Sequence, residues 1–151
     1  MRLNNKALLI AVNPHTGIGS VEDSISHLKI ESGVFWDVIP PGRRDAPWSH
    51  PEIKSGYFYI TEGKMVRYSL KIQFVKQWKN IDLNKAEKYI HHKRRDYLKS
   101  EHETLTYYAI LIRRIKRLKE EHSLNELMLV STGNPTKLVR NYAIVYDPEW
   151  I

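Results

Sequence analysis

The sequence contains no cysteine, which excludes a disulfide, a thiolate metal site and a cysteine nucleophile. Long hydrophobic runs are also missing. The longest apolar stretches, residues 7–12 and 107–112, are far shorter than the ~20 residues that a membrane span needs. No small-residue cleavage site follows the short apolar run near the N-terminus, so we expect no signal peptide. These absences predict a cytoplasmic protein without a membrane partner.

Motifs of catalysis are equally scarce. The chain has no GxSxG, no P-loop and no GxGxxG, and Gly17-Ile18-Gly19 is only a fragment of the last of these. Among the seven histidines, His91 and His92 are adjacent and point apart on a helix, so they do not form a metal site with His102. We therefore expect no catalytic residue, no metal and no cofactor, and we predict a binding module rather than an enzyme.

Positive charge is what the sequence has in excess. The net charge is +7 and the pI is about 9.5, which favours a polyanionic partner such as a nucleic acid. A surface rich in lysine and glutamate, as in thermophile proteins, is the alternative. Eleven of the 24 basic residues lie between positions 85 and 119, against four acids, so the excess is local. These basic residues are at positions 85, 88, 93, 94, 95, 99, 113, 114, 116, 117 and 119.

A length of 151 residues predicts a single domain, 1–151, of the α+β class. The predicted order is strand, helix, several strands, helix and strands, which is not the regular alternation of a doubly wound fold. In residues 64–75 the apolar positions alternate with Arg67, Lys71 and Gln73, as in a half-buried strand. The other predicted strands are Lys6–Val12 and residues 33–39, 56–61 and 141–147, and a capping box at Ser20 predicts a helix to Leu28.

Three segments are less regular. Four prolines in residues 40–55 exclude a central strand and predict a long, exposed loop. Asp82 or Asn84 can cap a helix to about Leu98, which would form most of a basic helical stretch at about 83–103. Residues 104–118 fit either a helix or a strand, because an apolar stripe at helical spacing overlaps with residues that favour strands.

Several stretches, taken in order, resemble EVE and YTH domains of the PUA-like superfamily. Gly33-Val34-Phe35-Trp36 is similar to a YTH strand. Residues 54–59 (KSGYFY), 106–127 (TYYAILIRRIKRLKEEHSLNEL) and 138–150 (LVRNYAIVYDPEW) are similar to EVE segments. Tyr57 stands where the family usually has aspartate. The resemblance implies a PUA-like curved mixed β-barrel or sheet flanked by short helices, and it favours a strand over residues 104–118.

The resemblance also implies a base pocket lined by aromatic residues, since stacking a base on an aromatic ring contributes about 1–3 kcal/mol. Trp36 is the first candidate, because YTH-like domains place a cage tryptophan in that strand. Trp48 is the second, because an indole in an exposed loop is not needed for the core. Tyr59 and Trp78 are weaker candidates, and Asp37 could accept a hydrogen bond from an exocyclic amine. The alternative is that Trp36 and Tyr59 are core residues.

For the phosphate backbone the candidates are Arg43, Arg44, Lys93, Arg94 and Arg95. The predicted function is the recognition of a modified base, such as a methylated one, in DNA or RNA. The resemblance extends to the specificity domain of archaeal McrB-type restriction subunits, which implies a fused or associated NTPase domain. One alternative is an RNA-binding protein of the PUA/ASCH type, or an RNA-processing enzyme of that type. Another is a module that binds an acidic protein.

Overall fold

A computed structural model describes residues 5–13, 21–38, 52–77, 83–91 and 108–151 of the chain. Its elements in chain order are β1 (Lys6–Val12), α1 (Val21–Leu28), β2 (Val34–Val38), β3 (Ser55–Ile60), β4 (Met65–Gln77), α2 (Leu83–Ala86), β5 (Tyr108–His122) and β6 (Tyr142–Tyr146). Two 3-10 turns, Glu87–Tyr89 and Leu124–Glu126, follow α2 and β5. The strands predicted from the sequence are confirmed within a few residues at their ends.

The six strands form one sheet in the order β2-β5-β4-β3-β1-β6. The pair β1 and β3 is parallel, and every other pair is antiparallel, so the sheet is mixed. Register shifts interrupt the pairing of β4 with both β3 and β5. Such bulges bend the strands and increase their twist, so the sheet is curled. The predicted α+β fold with a curved mixed sheet and short helices is confirmed.

Both faces of β1 are buried, although a strand of an antiparallel sheet often has one face in solvent. Leu8, Ile10 and Val12 of β1 belong to a first core, onto which α1 packs through Val21 and Ile25. The alternate residues of β1 belong to a second core on the opposite face, together with Tyr57, Val66, Leu118, Leu127, Val139 and Val145. Burial on both faces explains why the apolar run of β1 is continuous and does not alternate with polar residues.

The helix predicted to run to Leu98 is wrong in its extent. Helical residues begin at Leu83 and continue as a 3-10 turn to Tyr89, and Ile90 then has the extended backbone angles φ −96° and ψ 118°. Ala86 and Ile90, two apolar residues of the predicted helix, are buried. A β-branched residue such as Ile90 fits an extended backbone well, and tertiary burial decides its conformation over helix propensity.

Candidate nucleic-acid interface

Trp36 lies inside the first core. Its side chain is only 7% exposed, and its ring packs on that of Phe58 with a centroid separation of 4.7 Å. Gly33, three residues earlier, is also enclosed, because a Cβ there would lie 2.9 Å from Leu111. In this structure Trp36 makes the contacts expected of a core aromatic residue, and its stacking on a base stays a prediction.

Among the other candidate pocket residues, only the side chain of Tyr59 is described, and it does not lie with Trp36. Tyr59 is half-buried and packs against the second core, on the face of the sheet opposite to Trp36. Asp37 pairs through its backbone with Ala109, and its side chain is not described. Trp48 and Trp78 lie outside the described residues. Trp36 and Tyr59 therefore do not line one cavity.

The basic residues predicted to contact the phosphate backbone, Arg43, Arg44, Lys93, Arg94 and Arg95, also lie outside the described residues. The structure instead reveals a basic surface on β4 and β5. Lys71, Arg114 and Lys116 are exposed there, and we call them the basic strip. Lys71 is the cross-strand partner of Arg114, and Ser69 is the partner of Lys116. Cross-strand partners share a face, so the three cations lie side by side on the face opposite to the first core.

A β-bulge places one more cation on this face. Lys71 pairs with Arg114 and Ile72 pairs with Ile112, so Arg113 has no partner residue on β4. An ordinary strand would send Arg113 and Arg114 to opposite faces. Here the extra residue lets both arginines lie on the face of Lys71, because a bulge sets two residues against one. The sequence shows the Arg113-Arg114 pair, but not the bulge that concentrates its charge.

The basic strip differs from other cations of the sheet in its lack of ion pairs. Arg67 and Arg117 both contact Glu121, at 3.2 and 3.1 Å, and Lys6 contacts Glu52 at 3.2 Å. Lys71, Arg114 and Lys116 have no such carboxylate partner among the residues that the structure describes. An exposed row of unneutralised cations raises the local electrostatic potential and attracts an anionic chain.

A polar cluster lies beside the strip, on the same face of β3. Ser55 is the cross-strand neighbour of Lys71, and its hydroxyl donates to Asp147 Oδ2 at 2.6 Å. The Tyr57 hydroxyl donates to Asp147 Oδ1 at 2.5 Å, and the backbone N–H of Glu149 donates to the same oxygen at 2.8 Å. Burial, followed by the hydrogen bond to Asp147, raises the pKa of Tyr57 far above its ordinary value.

The chain after β6 is held by further ring contacts. Trp150 stacks on His122 with a centroid separation of 3.7 Å and meets the edge of Tyr57 at 5.4 Å. His122 Nδ1 lies 3.1 Å from Glu126 Oε1, and hydrogen bonds from His122 and Ser123 lower the pKa of Glu126. These contacts fix the C-terminal segment across β3 and β5. Sequence reasoning missed this cluster, because its members are far apart in the chain.

The hydroxyl and carboxylate groups of the polar cluster are engaged with one another. The Asp147 carboxylate already accepts three hydrogen bonds, and Tyr57 is held in its neutral form, so neither is poised to act as a base or nucleophile. No group of three or more potential metal ligands occurs in the part of the chain that the structure describes. Within that same part, no helix is long and apolar enough to cross a membrane.

An open cavity of about 620 Å³ lies between the end of α1 and the region of α2. Its lining mixes acids and bases, including Glu31, Glu87, Lys85 and Lys88. Neither Trp36 nor Tyr59 contributes to it. This cavity is therefore neither the aromatic pocket expected from the sequence nor a purely basic surface.

Comparison with solved structures identifies a similar fold, whereas comparison with sequence families finds no match. No protein-family model matches the chain, and no curated protein matches it by sequence. Among solved structures, a serine-to-alanine mutant of ZmASCH from Zymomonas mobilis is similar, with a TM-score of 0.50 and 15% identity over 98% of this chain and 92% of that one. A tyrosine-to-phenylalanine mutant of ZmASCH matches with a TM-score of 0.45 and 14% identity, over 95% and 91%. The first of these structures shows that the chain has the curled, mixed α+β fold of an ASCH protein.

Proposed function

We propose that this domain is an RNA-binding module of the PUA-like class, and that a single strand of RNA lies along the basic strip. The observation that carries the proposal is the row of Lys71, Arg114 and Lys116, which is exposed and has no carboxylate partner among the described residues. Proteins that bind single strands combine such a positive surface, which follows the backbone, with groups that contact the bases.

The fold adds support, since the similar structure is an ASCH protein and RNA binding by a PUA/ASCH-type protein is one of the functions expected from the sequence. RNA is favoured over duplex DNA because the strip lies on two strands of a sheet, and neither of the described helices, α1 and α2, carries a residue of the strip. Proteins that recognise RNA by sequence mostly bind unpaired segments. Recognition of a modified base stays a prediction, because Trp48 and Trp78 lie outside the described residues. A role in restriction together with an NTPase also stays a prediction.

We also propose that binding is not coupled to catalysis. Tyr57 and Asp147, the buried polar pair nearest to the strip, are engaged with one another and with Ser55. Incubation of labelled RNA with the purified protein tests this point directly. Intact RNA after prolonged incubation is the expected result, and cleavage that disappears in Tyr57→Phe would point to an enzyme instead.

The binding proposal is tested by charge reversal. In the triple variant Lys71→Glu, Arg114→Glu, Lys116→Glu we expect weak binding of a single-stranded oligonucleotide. We also expect the slope of log K against log salt to become flatter by about 2, since each phosphate contact contributes about 0.7. The matched control is Lys29→Glu, Lys137→Glu, Arg140→Glu, which changes the net charge equally at exposed positions on other elements.

The two triple variants separate a specific interface from a general effect of net charge. If both weaken binding equally, the strip is not the interface. If the parent binds no RNA at any salt concentration, the proposal fails. A parallel series with single-stranded and duplex DNA of the same sequence shows whether RNA is preferred.

A further inference from the structure

Arg113, the cation that the bulge adds, has a fixed orientation. Its Nε donates to Gln73 Oε1 at 2.5 Å, and its Nη1 lies 2.9 Å from the carbonyl oxygen and 3.2 Å from the hydroxyl of Ser32. Its guanidinium also lies over the ring of Tyr89, 5.4 Å from the centroid. Contacts with three residues hold a side chain that would otherwise have many rotamers, so little entropy remains to be lost on binding.

A second cation meets the same ring. Lys88 Nζ lies 5.0 Å from the centroid of Tyr89, whose position is set by an edge contact with Phe35 at 5.9 Å. Hydrogen bonds from Ser32, Arg113 and Lys88, in that order, lower the pKa of the Tyr89 hydroxyl. Two cations from separate parts of the chain, Lys88 and Arg113, therefore lie against one aromatic ring.

This group, Ser32, Lys88, Tyr89 and Arg113, is the Arg113 cluster. It carries more N–H and O–H donors than it has oxygen atoms to accept them, because the ammonium and guanidinium groups are donors only. Its own acceptors are the carbonyl and hydroxyl of Ser32 and the hydroxyl of Tyr89. Gln73 Oε1, outside the cluster, accepts from Arg113 Nε. Within residues 5–13, 21–38, 52–77, 83–91 and 108–151, neither Lys88 nor Arg113 has a carboxylate partner.

We propose that the Arg113 cluster binds a phosphate group. A phosphate supplies both of the things that the cluster lacks, several acceptor oxygens and negative charge, and arginine is suited to phosphate by its planar fork of donors. The cluster adjoins the basic strip, since Arg113 and Arg114 are consecutive. The inference rests on the proposed function for the source of the phosphate, which is either the end of the bound strand or one of its internal phosphodiesters.

The first experiment needs no RNA. Orthophosphate is titrated against the protein while the Nε–H signal of Arg113 and the ring signals of Tyr89 are followed by NMR, with chloride as the ionic-strength control. We expect saturable shifts that are lost in Lys88→Met and kept in Lys85→Met, an equally exposed lysine on α2. The absence of a saturable shift in the parent, or its persistence in Lys88→Met, overturns the inference whether or not RNA binds.

The second experiment identifies the source of the phosphate. Single-stranded oligonucleotides carry a 5′-phosphate, a 3′-phosphate or only hydroxyl ends. If the cluster holds a terminal phosphate, an oligonucleotide without that phosphate binds roughly ten-fold more weakly, as expected for the loss of a charged hydrogen bond. If it holds an internal one, all three bind alike, and Lys88→Met flattens the salt slope by about 0.7. Binding by Lys88→Met that equals the parent in every case overturns the inference.

The strip variant keeps the two proposals apart. Lys71→Glu, Arg114→Glu, Lys116→Glu is expected to weaken RNA binding and to leave the shifts produced by orthophosphate at Arg113 in place. If those shifts are saturable and RNA binding does not respond to the strip variant, the proposed function fails and the phosphate site stands.

Discussion

The Tyr57 hydroxyl donates a hydrogen bond of 2.5 Å to Asp147 and accepts one of 3.2 Å from the backbone N–H of Trp150. One phenol thus joins the middle of β3 to the chain that follows β6. The two strands are not neighbours, since β1 lies between them, so no backbone ladder could make this connection. The tyrosine holds the C-terminal segment over the second core, next to the basic strip.

Replacement of Tyr57 by phenylalanine tests this connection. The variant keeps the ring and removes both hydrogen bonds, and the buried Asp147 retains Ser55 and the Glu149 N–H as donors. We expect the free energy of unfolding in urea to fall by about 1.5–3 kcal/mol, as for the loss of a hydrogen bond to a charged group. Tyr146→Phe is the control, because the Tyr146 hydroxyl has no hydrogen bond among the described residues. An equal effect of the two substitutions would contradict the assignment.

Alkaline pH should act on the same group. Burial, and then Asp147, raises the pKa of Tyr57 above its ordinary value of 10.0, so the folded state favours the neutral phenol. A raised folded-state pKa stabilises the protein below pH 10.0, and this stabilisation is lost progressively as the pH rises above it. In a titration followed by tyrosinate absorbance, we expect the folded parent and folded Tyr57→Phe to ionise the same number of tyrosines. After unfolding, the parent should ionise one tyrosine more than the variant. Ionisation of Tyr57 near pH 10 in the folded protein would disprove this.

Trp150 is expected to be the main anchor of the C-terminal segment. It stacks on His122 and meets Tyr57 edge to face, and two such ring pairs contribute about 1–3 kcal/mol in total. Trp150→Ala should lower stability by that amount. It should also speed hydrogen exchange at the Lys119 N–H, which donates to the carbonyl of Ile151 at 3.1 Å. Ile151→Ala, at a side chain 67% exposed, should change neither quantity.

Gly56 is expected to tolerate no side chain. A Cβ at this position would lie 2.7 Å from the backbone oxygen of Leu8, on the strand with which β3 pairs in parallel. Backbone in a central strand pair has little freedom to move, so Gly56→Ala should destabilise the fold by about 1–3 kcal/mol through overpacking. Gly33→Ala should have a smaller effect, because its close neighbours are the ends of the Leu111 and Arg113 side chains. Thermal melts of both variants make the comparison.

The strands were accessible to sequence reasoning because their patterns are local. The alternation in residues 64–75 and the apolar run of β1 predict their elements without knowledge of any partner. Residues 104–118 were ambiguous from the residues alone, and β5 shows that the strand expected from the resemblance is right over the described part. The end of the helix before Ile90 was not predictable, since it depends on the burial of one isoleucine by distant parts of the chain.

The candidate interface was predictable only in outline. The local excess of charge between positions 85 and 119 includes Arg113, Arg114 and Lys116, yet the strip needs Lys71 from another strand and a bulge that no spacing reveals. The cluster of Tyr57 and Asp147 depends on the strand order β3-β1-β6. The packing of Trp36 and Tyr59 on opposite faces of the sheet was not predictable, because it depends on the register of β2 and β3 with their neighbours.

Acid below pH 4.5 should remove the stabilisation that Glu126 provides at the end of β5. Hydrogen bonds from His122 and from the Ser123 N–H lower the pKa of Glu126 below its ordinary value of 4.5. A lowered folded-state pKa stabilises the protein above pH 4.5, and this contribution is lost as the pH falls through the folded value. We therefore expect Glu126→Gln to melt at a lower temperature than the parent at pH 6, and the difference to vanish well below pH 4.5. Glu120→Gln, at an exposed position on β5, is the control for a general effect of charge. A gap between Glu126→Gln and the parent that stays constant from pH 6 to pH 3 would show that the carboxylate's charge is not what His122 and Ser123 stabilise.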